Sequence, residues 1–152
     1  MPDQDWKQIS AKAQQILWDS IPSEWRIPKD KLPAEDQKDV TGFPAQCGIL
    51  TKDELAITDG CATEIVKKIA AGEWKAEDVT RAFCKRAAIA QQLVSLLFKL
   101  VRSKLTMIKV NCLTVTMFDQ AIAQAKKLDE HFAKTGKTVG PLHGLPVSLK
   151  GK

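Results

Sequence analysis

The chain has 152 residues, 44% of them hydrophobic and 27% charged, which is ordinary usage for one globular domain and excludes a disordered or fibrous chain. Its net charge of +5 is local, because Lys99, Arg102, Lys104 and Lys109 stand between Val94 and Val110 with no acid among them. The basic surface that a nucleic-acid partner would select is therefore not expected.

The start, MPDQDWKQISAKAQ, carries acids early and has no apolar centre, so it does not read as a secretory leader. Residues 6–20 place Trp6, Ile9, Ala13, Ile16 and Leu17 at helical spacing. Pro22 ends that helix, since it removes a donor and restrains Ile21 before it. Pro22, Pro28, Pro33 and Pro44 then mark residues 23–48 as an extended arm lying on something else, not as a core element. A short helical turn is expected over 51–57. A helix over 63–71 faces Ile65, Val66 and Ile69 inward, with Gly72 placed to cap it. A stronger helix over 76–93 has Glu77 and Asp78 at its positive end, and Val79, Phe83, Ala87 and Ala90 on one face.

Residues 111–118 alternate Leu113, Val115 and Met117 and predict a strand. The helix over 119–135 carries the stripe Ile122, Ala125, Leu128 and Phe132 and closes at Gly136. After the turn GKTVGPLHG, residues 145–150 predict a second strand. A strand–helix–strand unit asks for a parallel sheet, yet two strands cannot cover the apolar faces of so many helices. The pattern is that of an outer layer, whose isolated form should expose apolar surface and dissolve poorly.

No run approaches the about 18 uninterrupted apolar residues of a membrane helix, and a soluble cytoplasmic chain is the expectation. Cys47, Cys61, Cys84 and Cys112 form no CxxC pair, and His131 and His143 are the only imidazoles. Reduced thiols and no metal site are expected. Cys84, inside a helical stripe, reads as a small buried hydrophobe. His143 reads as a turn residue in preference to a general base, and Ser148 as structural. The basic segment 94–110 has two readings: it prolongs the preceding helix, or it is an amphipathic helix that lies on an anionic membrane or a partner.

Six blocks resemble the fungal acetamidase-like branch of the amidase signature family. They are IPSEWRI at 21–27, LPAED at 32–36, GIL and ELAIT within 48–58, and VTRAFCKRAAIAQQL at 79–93. NCLT at 111–114 and AIAQAKKLDEHFAKTGKTVGPLHGLPVSLK at 121–150 complete the set. GPLHGLPVSLK is the most specific, since it resembles the segment around the family's catalytic lysine. The resemblance implies hydrolysis of carboxamides by a Ser–cis-Ser–Lys triad, with no metal or cofactor. Lys150 matches the lysine, which accepts a proton through the bridging serine and so activates the nucleophilic serine. Such a base must be partly neutral near pH 7, and burial depresses a lysine because it disfavours the charged form. The nucleophile then forms an acyl-enzyme that water resolves, with backbone amides stabilising the oxyanion. Without the family, Lys150 reads as a solvated lysine at a strand end.

Two features depart from the family. After Lys150 the family continues with Asp and a glycine- and serine-rich signature bearing both serines; this chain reads Gly151-Lys152, and no GGSSGG-like stretch occurs in it. The resemblance also breaks over 94–110. The expectation is that 94–110 is translated intron, that Gly151-Lys152 comes from reading into another, and that the chain is an amino-terminal piece inactive by itself. The fold class expected is α/β: the incomplete start of an amidase signature domain, mostly helical with about two strands. It divides into an amino-terminal helix and arm (1–58) and the start of the catalytic domain (59–152), with an atypical insert at 94–110. The complete enzyme would take a small amide substrate and need no nucleic acid or membrane; the sequence sets no oligomeric state. The competing reading is a non-enzymatic helical protein that binds a membrane surface or partner through its basic segment.

Overall fold

The computed structural model describes residues 5–33, 37, 39–101, 113 and 115–149. Among these described residues six α-helices follow in order: α1 (Asp5–Asp19), α2 (Phe43–Gln46), α3 (Lys52–Asp59), α4 (Ala62–Ala70), α5 (Ala76–Val101) and α6 (Phe118–Thr135). Single 3₁₀ turns occupy Ser23–Trp25 and Lys29–Lys31.

Helix α5 is the axis on which the others pack. Its buried residues Ala76, Val79, Thr80, Ala82, Cys84, Ala88, Ile89, Gln91, Gln92 and Leu93 point in every direction around the helix. A helix buried all round is a central one, so the single stripe expected from Val79, Phe83, Ala87 and Ala90 is corrected: Val79 is buried, and the other three are half-buried. Three apolar clusters are strung along it. Near its start, Val79 and Ala82 meet Ile57, Ile65 and Ile69 of α3 and α4. In its middle, Cys84 and Ala88 meet Ile21, Trp25 and Phe118, with the Trp25 and Phe118 rings edge to face at 5.7 Å. Further on, Ile89 and Leu93 meet Ile27, Phe43, Cys47 and Leu50. Each fully buried aliphatic side chain contributes about 1.5–3 kcal/mol.

The arm over 23–48 is thus corrected as well. It lies on α5 as expected, but Trp25, Ile27, Phe43 and Cys47 make it part of the core. Its backbone is tied down by one side chain. Gln92, 3% exposed, accepts from the Ile27 N–H at 2.8 Å and donates to the Trp25 and Ala88 carbonyls, both at 2.9 Å.

Helix α3 is longer than the turn expected over 51–57, and its start explains why. Thr51 accepts from the Glu54 N–H at 3.2 Å while Glu54 accepts from the Thr51 N–H at 2.9 Å, a reciprocal capping box. The second Glu54 oxygen takes the Lys85 ammonium at 2.6 Å, joining α3 to α5. Burial pushes the Glu54 carboxyl up, but its hydrogen bonds from Lys85 and Thr51, with the Lys85 charge, hold it below the usual value.

Helix α1 forms where the spacing put it, but its stripe is not covered: Ile9 and Ile16 are 61% exposed and Trp6 is 57% exposed. Neither expected strand forms among the described residues; positions 111, 112, 114 and 150 of the two expected spans lie outside them. Residues 115–117 lead directly into α6, and 145–149 run without a pairing partner. A strand exists only as one side of a hydrogen-bonded ladder, and no second side is present among these residues. Leu149, 89% exposed, and Val147, 66% exposed, are the apolar surface that such a ladder would cover.

Candidate functional site

Lys150, the candidate base, lies outside the described residues; the described run 145–149 leads up to it. That run leaves a corner built from α4, α5, α6 and the turn 140–145.

Three contacts fix the corner. The first is a cap supplied from far along the chain. The first N–H groups of α5 need acceptors, and Lys75 ahead of them has none to offer. Asp129 of α6 provides both, accepting from Ala76 at 2.7 Å and from Glu77 at 2.9 Å. Asp129→Ala should therefore lower stability by about 1–3 kcal/mol, read as a lower urea midpoint, and Asp129→Asn, which keeps one acceptor, by less. A midpoint unmoved by Asp129→Ala would show that the cap does not form.

The second contact is Gly144. It sits at φ +74°, and a Cβ there would lie 2.7 Å from the Ala76 Cβ and 3.1 Å from the Ile69 Cδ1. The turn can touch the start of α5 only because this residue has no side chain.

The third is His143, 3% exposed. Its Nδ1 accepts from the Val139 N–H at 3.2 Å, which places the proton of the neutral ring on Nε2. The Nε2 is buried and has no hydrogen-bond partner among the described residues. The ring lies 6.1 Å from that of Phe132. Burial depresses the imidazole; the Asp129 carboxylate opposes that and His131 adds to it. With Nδ1 occupied as an acceptor, His143 is a turn residue, as its sequence setting suggested, and not a free base.

Beyond the corner, residues 142 and 144–147 form one wall of a groove of ≈ 210 Å³ against Thr80 of α5 and Ala121, Gln124, Ala125 and Leu128 of α6. Apart from Thr80 and Gln124, the side chains lining it are apolar. Its lining holds no acid, His, Lys, Cys or Ser. Ser148 is exposed. Cys84 is buried as expected, and desolvation pushes its thiol up to about 11. Among the described residues no group of three or more His, Cys, Asp or Glu could hold a metal ion, and no helix is long and apolar enough to cross a membrane. The basic segment begins as a continuation of α5, which runs to Val101, and residues 102–110 lie outside the described residues.

The Amidase family model matches residues 95–152, a span that takes in the 94–110 segment almost whole and ends past Lys150. Acetamidases of Emericella nidulans and Aspergillus oryzae align with 97% and 99% of the chain at 46% and 41% identity. By these matches the chain is similar to members of the amidase family. A Curvularia clavata protein with an amidase designation is 47% identical over 150 residues. Among solved structures, a fatty acid amide hydrolase superposes on 93% of the chain with a TM-score of 0.71 and 35% identity. The chain spans about a quarter of the length of these relatives: 25%, 23% and 24% of the three fungal proteins and 22% of the hydrolase structure. The helices around α5 are thus arranged as in a segment of an amidase. Of the family features, sequence reading reached the block that ends at Lys150. Within this chain's own fold, it missed the roles of Asp129 and Gln92 and the reason for Gly144. Asp129 has the local signature of any solvated helix acid, and only the meeting of α6 with α5 makes it a cap.

Proposed function

We propose that this chain is the amino-terminal, lysine-bearing part of an enzyme that hydrolyses small linear carboxamides, of the acetamide kind, to carboxylate and ammonia. The alignment of nearly the whole chain with two acetamidases at 46% and 41% identity carries the reading. In it, Lys150 is the general base of a Ser–cis-Ser–Lys triad whose serines come from polypeptide that this sequence does not contain. The lysine takes a proton through the bridging serine, the nucleophilic serine attacks the amide carbon, ammonia leaves, and water resolves the acyl-enzyme. The run 145–149 is read as a strand of the parent sheet, which restores the α/β class in the longer protein. A small neutral amide is the only partner this chemistry needs.

The test is a polypeptide extended to the length of the relatives, assayed for ammonia release from acetamide. Turnover is expected, with Lys150→Ala lowering kcat by at least about 10³-fold; the 152-residue chain alone should show none. A folded extended chain that leaves acetamide intact would overturn the reading.

A further inference from the structure

We propose that His143 is a positioning residue: its imidazole, holding the Val139 N–H on Nδ1, sets the direction in which residues 145–149, the run that precedes Lys150 in sequence, leave the α5 corner. The inference rests on the role proposed above for Lys150.

The geometry makes this a matter of one turn. The run 145–149 has no ladder partner among the described residues, and Val147 and Leu149 are exposed, so the contacts at its root carry much of its orientation. Gly144 is held against Ala76 by close approach, which fixes where the chain starts but not which way it turns. The turn is closed by two backbone bonds, His143 N–H to the Gly140 carbonyl at 3.2 Å and Leu145 N–H to the Leu142 carbonyl at 3.1 Å. The His143 side chain adds a third closure, from Nδ1 back to Val139. Because the ring is buried beside Phe132, it cannot swing into solvent to release that bond. Losing it takes from the part-buried Val139 N–H its partner and removes the side-chain closure of the turn.

Two substitutions separate positioning from packing. Asn places an amide oxygen where Nδ1 stands and keeps the Val139 bond while losing ring volume. Phe keeps the ring volume and loses the acceptor. If His143 positions the run, His143→Asn should resemble the wild type and His143→Phe should not; if it only fills space, the ranking reverses. In the 152-residue chain, amide resonances of Leu145, Val147 and Leu149 should shift in His143→Phe and stay near their wild-type places in His143→Asn. In the extended enzyme, His143→Phe should lower kcat for acetamide by about 10–100-fold with KM little changed, as a displaced base would. His143→Asn should stay within a few-fold of wild type. Unmoved resonances in His143→Phe, or the reversed ranking, overturn the proposal. An inactive wild-type extended enzyme would instead refute the amidase reading, and the resonances would still decide whether His143 orients the run.

Discussion

Gly144→Ala is expected to destabilise the chain by about 2–5 kcal/mol. A left-handed conformation costs a residue with a Cβ about 1–2 kcal/mol, and forcing a methyl into a filled space costs about 1–3 kcal/mol more. The second cost is hard to relieve here. The atoms in the way include the Ala76 Cβ at 2.7 Å and the Ala76 Cα at 3.2 Å, which belong to the first turn of α5 and not to the tip of a flexible side chain. That turn is itself capped by Asp129, so it cannot move without losing two hydrogen bonds. Gly136 supplies the control. It has a similar φ of +64° but nothing within 4 Å of a built Cβ, so Gly136→Ala should carry the conformational cost alone. Urea unfolding of both variants measures the difference. Equal losses at the two positions would show that the close approach to Ala76 is absent.

Gln92→Leu is expected to cost about 2–4 kcal/mol although it puts a more apolar residue at a buried site. The side chain satisfies the Ile27 N–H and the Trp25 carbonyl at once, and both lie on an arm with little regular structure to supply other partners. Burying an unsatisfied polar backbone group costs about 1–3 kcal/mol, and Leu would leave two. The Ala88 carbonyl also accepts from Gln92, but it lies inside α5 and keeps its place in the helix ladder. Alongside a lower urea midpoint, amide exchange at Ile27 should become markedly faster. Unchanged exchange at Ile27 in the Leu variant would show that Gln92 does not hold the arm.

Both sites bear on what could be read in advance. The helices at 6–20, 63–71, 76–93 and 119–135 were legible because their apolar spacing and terminal residues are local signals. Gly72 and Gly136 follow α4 and α6 at φ +74° and +64°, as their positions suggested. The arm was misread because Trp25, Ile27, Phe43 and Cys47 bury one at a time without a period, and the prolines between them look like those of a solvated linker. The expected strands are absent among the described residues for another reason. Alternation at 111–118 and 145–150 reports which residues could face a sheet, while a strand also needs a neighbour that alternation does not supply. Helix α1 makes the same point, since its stripe is right for burial and Ile9 and Ile16 remain exposed.

The sequence by itself determined the resemblance to amidases, most specifically in the block ending at Lys150, and the position of most helices, because a helix closes its hydrogen bonds within its own segment. Tertiary structure alone decided that α5 is surrounded, that Gln92 ties down the arm, that Asp129 caps a helix 52 residues before it, and that Gly144 has no room for a methyl. Each of these depends on two segments far apart in sequence coming within a few ångströms, and no local pattern carries that distance.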